Sequence, residues 1–149
     1  MRSVVYTDVV AHKKMENKEW LKNIDWELER QVMIFVSDEA PEGLFELHSE
    51  FGRYELTFPQ RMDLTYSILI ELLKEGLINL EEYSSREART PTSVIENEKT
   101  QEILNNHYNW YPVGQPIYSI GTTEKGIEYL NTLSDENKKK LNERLFGKK

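Results

Sequence analysis

The stretch that most constrains the fold is residues 57–80, TFPQRMDLTYSILIELLKEGLINL. Leu64, Ile68, Leu72 and Leu73 recur at helical spacing and predict one buried stripe. Pro59 suits the first turn of that helix, and Thr57 is its candidate cap. Gly76 predicts its stop, because glycine alone enters a left-handed turn without a Cβ clash. LINL (77–80) follows at once and reads as a strand.

A return strand is expected at Ile117–Ile120, with Ile120 facing Ile78 across the pair. Thr122 or Thr123 would then cap a helix carrying Ile127 and Leu130, and Ser134 a last helix holding Leu141, Leu145 and Phe146. Upstream, VVYTDVV (4–10) has the β-branched alternation of a short strand. Trp20, Ile24, Leu28, Val32 and Phe35 predict a helix from about Asn17 to Val36. A shorter helix fits Pro41 to Phe51, with Leu44, Phe45, Leu47 and His48 near its inner side.

The 36 residues from Glu81 to Pro116 are too many for a hairpin connection, so they must carry structure of their own. Ser93-Val94-Ile95-Glu96 fits a capping box, opening a helix to about Asn106 with Ile95, Ile103 and Leu104 on its inner side. NHYNWYPVGQP (106–116) then forms an aromatic, turn-rich run.

The recognition-helix-like LIELLKEGLINL (69–80) and the later PIYSIGTTEKGIEYL (116–130) resemble the two signatures of bacterial winged helix-turn-helix domains. Leu69, Leu72, Gly76, Leu77 and Ile78 fill the first; Tyr118, Ile120, Thr123, Gly126 and Leu130 fill the second, with an extra residue around Gly121-Thr122. The resemblance implies one α+β, winged-helix-like domain over residues 1–149, mostly helical with a small antiparallel hairpin. Its core would span about 17–80 and 116–146, with a long structured wing insertion at about 81–115. In such regulators the third helix enters the major groove. Here that would place Arg61, Thr65, Tyr66, Ser67 and Lys74 on DNA, and these domains are usually dimers.

Charge opposes the DNA expectation. The chain carries a net −7, and residues 134–149 hold six basic residues against three acidic ones. That leaves a net of −10 in the first 133 residues. Between Gln60 and Gly76, Arg61 and Lys74 face Asp63, Glu71 and Glu75. Phosphate neutralisation dominates nucleic-acid affinity, and this segment would repel phosphate.

Catalytic constellations are absent from the sequence. His12, His48 and His107 lie far apart with no metal-ligand spacing, and there is no glycine-rich phosphate loop or nucleophile elbow. The absence of cysteine excludes disulfides and thiolate chemistry and fits a cytoplasmic protein. The first ten residues lack the apolar run of a signal peptide, and no stretch has the ~20 apolar residues of a membrane span. No enzyme activity, cofactor or metal is expected.

What remains is an acidic surface with aromatic anchors. Glu71, Glu75, Glu81, Glu82 and Glu87 would present charge to a basic protein, and Tyr83, His107, Tyr108, Trp110 and Tyr111 would supply contact area. In general character the chain resembles small acidic bacterial immunity proteins, which neutralise basic toxins by covering the active cleft. That resemblance implies a basic, nuclease-type toxin domain as partner; DNA is the alternative.

Overall fold

The computed structural model describes residues 19–38, 43–111 and 116–147. Within them the chain is α+β and mostly helical, with five α-helices, three 3₁₀ helices and a three-stranded antiparallel sheet. The expected strand at 4–10, the start of the first helix and Pro41 lie outside the described residues.

Helix α1 spans Trp26–Ser37 and is preceded by a 3₁₀ turn, Glu19–Asn23. The single helix expected from Asn17 is therefore broken at Ile24-Asp25. Asp25 is extended (φ −81°, ψ 90°), and its carboxylate accepts the Leu28 N–H. A short polar side chain that can satisfy an orphan helix N–H starts a new helix instead of continuing the old one. Helix α1 is buried on nearly every side, including Glu29 and Arg30.

The expected second helix is a 3₁₀ helix, Leu44–Phe51. Leu44, Leu47 and Phe51 are buried, while Phe45 and His48, three apart, are half-buried with their rings in contact on the flank.

Helix α2 spans Phe58–Lys74 and begins as its sequence suggests. Thr57 Oγ1 accepts the Gln60 N–H, and the Gln60 side chain accepts the Thr57 N–H. It ends in a Schellman motif: Leu77 N–H donates to Leu72 O and Gly76 N–H to Leu73 O, with Gly76 at φ +74°. Strand β1 (Ile78–Tyr83) follows directly.

β1 is the central strand, flanked by β2 (Ser93–Val94) and β3 (Ile117–Thr122). The hairpin expected from the sequence is thus a three-stranded sheet. Leu80 pairs with Ile120 and Ile78 with Thr122, so the Ile78–Ile120 pair is two residues out of register. Ile78, Leu80 and Ile120 are all buried in the core, so the sheet buries that face in either pairing.

The insertion folds back on the helices. Ser93-Val94 pairs with Glu82 and Glu81 as β2, so it opens no capping box. Helix α3 starts later, at Asn97, with Glu96 as an N-cap that makes no side-chain bond, and ends at Asn105. It packs on α2: Leu104 is buried, and Tyr66 Oη donates to Asn105 Oδ1 at 2.5 Å. A 3₁₀ turn, His107–Trp110, follows.

Helix α4 (Glu124–Asn131) is capped by Thr123, and α5 (Asp135–Phe146) by Ser134. Gly126 is required at its site, since a Cβ would stand 2.1 Å from Leu77 O. Helix α5 closes over α1 through a buried ion pair. Arg144 donates twice to Glu29, at 2.9 and 2.8 Å, and Tyr54 Oη donates to the same carboxylate at 2.5 Å. Among the described residues no helix is long and apolar enough to cross a membrane.

Candidate partner-binding surface

Three segments meet on one flank: the 3₁₀ helix 44–51, the start of α2, and the turn 107–111. Phe45 packs on His48 (ring centroids 4.9 Å apart), on Phe58 (5.8 Å) and on Tyr111 (4.9 Å). His48 meets Phe58 edge-on at 5.1 Å, and His107 meets Tyr111 at 5.0 Å. Local chain geometry sets each ring. The 3₁₀ period aligns Phe45 with His48, the capping box at Thr57 projects Phe58, and the turn after α3 carries His107 and Tyr111.

The cluster reaches the surface at Phe58, while Phe45, His48 and Tyr111 are half-buried. Phe58 is 42% exposed and Tyr108, in the same turn as His107, is 79% exposed. Arg61 edges the cluster. Its Cζ sits 6.0 Å from the Phe58 centroid, its Nε donates to His48 Nδ1 at 3.1 Å, and its Nη1 donates to Leu56 O. Burial, and secondarily the Arg61 charge, push the His48 pKa below its ordinary value. His48 is therefore a neutral acceptor at its Nδ1 near pH 7.

The aromatic turn adjoins an acidic helix. Glu96, Glu98 and Glu102 are exposed on and just before α3, with Lys99 the one cation among them. Glu87 is exposed in the β1–β2 loop, and Glu82 is half-exposed on β1.

Other expected contact residues sit elsewhere. Tyr83 is 5% and Trp110 4% exposed, so neither can anchor a partner. Trp110 Nε1 donates to Leu104 O and fixes the turn on α3. Tyr83 Oη donates to Glu81, and burial first and that contact second push its pKa up to about 12. Glu71 and Glu75 are held by Arg30, at 2.7 Å each, and Glu71 also accepts the Trp26 indole N–H. Together they outweigh the one guanidinium that α1 buries; Glu71 is half-buried, whereas Glu75 remains exposed at the end of α2.

The expected DNA-facing residues of α2 are mostly internal. Thr65 is fully buried and back-bonds to Arg61 O, while Tyr66 and Ser67 are each 5% exposed. Arg61 is committed to His48 and Leu56, and only Lys74 is exposed. The physical cause is packing on more than one side: the 3₁₀ helix 44–51 and α3 both lie against α2, and Tyr66 bonds to Asn105 of α3.

Phe45, His48 and Phe58 are functional candidates that the sequence does not single out; Phe45 and His48 read there as inner-side residues of a short helix. Compared with protein-family models, curated proteins and solved structures, the chain finds no match.

Proposed function

We propose that this chain is a winged-helix-like, non-catalytic protein-binding module. In its most concrete form it is a cytoplasmic immunity protein or antitoxin that neutralises a basic toxin, of nuclease type, by covering its active cleft. The observation that carries this reading is the continuity of charge and rings. Helix α3 exposes Glu98 and Glu102 and leads, within a few residues, to His107 and Tyr108 at the edge of an exposed aromatic cluster. Carboxylates on that path would speed encounter with a cationic surface, and planar rings would supply packed area. The reading requires no cofactor. The order helix, short helix, helix, strand, excursion, strand supports the winged-helix comparison; the burial of Thr65, Tyr66 and Ser67 weighs against DNA contact through α2.

The test is capture of the tagged protein's partners from its native lysate, with mass spectrometry and a nucleic-acid assay on the eluate. The expected result is a stoichiometric basic protein whose association slows when Glu87→Lys, Glu98→Lys and Glu102→Lys are combined, most strongly at low salt. Enriched DNA of one sequence without a protein partner refutes the reading.

A further inference from the structure

We propose that the Phe45–Phe58–Tyr111 ring cluster is the acceptor for an arginine side chain of the basic partner, its guanidinium lying against the rings beside Tyr108. This rests on the protein-binding reading above and names the chemistry that its central contact would use.

Three observations lead there. The first is that the cluster already seats one guanidinium. Arg61 Cζ stands 6.0 Å from the Phe58 centroid and is held by His48 Nδ1 and Leu56 O, so a guanidinium already borders one ring of the cluster. The second is that the remaining rings have no such cation on them in the described residues: the contacts of Phe45 and Tyr111 are with other rings, and Tyr108 is 79% exposed. The third is charge complementarity. The chain carries a net −7, and the insertion from Glu81 to Tyr111 carries six carboxylates against Arg86, Arg89 and Lys99.

Guanidinium fits better than ammonium. It is planar, weakly hydrated and able to stack while its N–H groups point to nearby carboxylates. His48 stays neutral beside Arg61, so it adds no second cation to oppose the incoming one. An incoming anion has less to gain, because Arg61 already spends Nε and Nη1 within the fold.

The probe is the peptide acetyl-(Arg-Gly)₃-amide, titrated into the full chain at low salt and followed by aromatic and carboxylate ¹³C NMR. Its comparators replace each arginine with neutral citrulline or with lysine. Saturable shifts at Tyr108, Tyr111, Phe45 and Phe58, with affinity for the citrulline peptide roughly three- to tenfold weaker, support the assignment. Tyr111→Leu combined with Tyr108→Leu should weaken the arginine peptide by a similar factor while the remaining spectrum stays folded. Glu98→Gln with Glu102→Gln should lower affinity at low salt but leave the same rings shifting. Shifts confined to carboxylates, or an equal response to citrulline, overturn the arginine site while leaving acidic steering intact. No saturable shift of any group overturns both readings.

Discussion

Helix α5 is tied to the core by one buried ion pair, and removing one half of it should be among the most damaging single changes in the protein. Glu29 is 0% exposed and the Arg144 side chain 9%. In Arg144→Ala the carboxylate loses both guanidinium bonds and keeps only Tyr54 Oη. Leaving a buried charge without its partner costs about 3–5 kcal/mol. The Glu50 carbonyl, which Arg144 also satisfies at 2.5 Å, loses a donor as well. With an unfolding entropy of about 2.1 cal/mol/K per residue, the 149-residue chain should lose roughly 10–15 °C in Tm. The assay is urea unfolding followed by tryptophan fluorescence and circular dichroism, with the m-value checked for constancy. Glu29→Met with Arg144→Met separates the cost of an orphaned charge from the worth of the pair, because it removes both charges and keeps apolar volume. It should be much less damaging than Arg144→Ala. A loss under about 1 kcal/mol in Arg144→Ala, or a double variant as unstable as the single one, refutes the claim that a desolvated carboxylate is what the arginine compensates.

Two glycines should respond differently to the same added methyl. Gly76→Ala meets no close atom but must hold φ +74°, costing about 1–2 kcal/mol, while Gly126→Ala drives a Cβ to 2.1 Å from Leu77 O and should lower the urea midpoint further. Tyr83 is pushed up to about 12, so its protonated form contributes stability that is complete below pH 10 and lost as pH rises through 12. The stability gap between wild type and Tyr83→Phe should therefore narrow across that window in alkaline urea titrations. His48 is shifted the opposite way, so its neutral form stabilises the fold above its ordinary 6.5, and that contribution falls away as pH drops through the lowered folded value. His48→Gln should flatten that acid limb, and an NMR titration placing the His48 pKa above 6.5 would contradict the Arg61 contact.

The fold is legible in the sequence where one local rule decides the outcome. Thr57, Thr123 and Ser134 cap the helices expected of them, and Gly76 takes the left-handed turn. Each outcome depends on a few neighbouring atoms. Failures came where two local rules compete or where a distant segment arrives. Asp25 lies within an apolar periodicity yet breaks it, because capping Leu28 outweighs continuing the helix. Ser93 is as good a cap as Ser134, but its backbone is taken by β1, a partner supplied by tertiary pairing. Within 44–51 the set read as one inner side divides: Leu44 and Leu47 are buried, while Phe45 and His48 are half-buried and pack on Phe58 and Tyr111, rings supplied by distant segments.

The largest reversal concerns α2, and it bears on function. A helix with an apolar stripe on one side and Thr, Tyr, Ser and Arg on the other reads as half-exposed, and the winged-helix resemblance would turn that side to DNA. In the fold that side is a second packing surface. Tyr66 reaches Asn105 of α3, Leu104 packs beside it, and Trp110 pins the following turn to Leu104 O. Thr65 back-bonds to Arg61 O and Tyr66 reaches Asn105 in a helix packed by both the 3₁₀ helix 44–51 and α3, while the buried Ser67 hydroxyl has no hydrogen-bond partner among the described residues. The same insertion that removes α2 from the surface delivers Tyr108 and Tyr111 to a flank where Phe45 and Phe58 already stand. Covering the helix and building the ring cluster are thus two consequences of a single chain excursion. A variant that loosened α3 should therefore disturb both together, exposing Tyr66 while dispersing the rings.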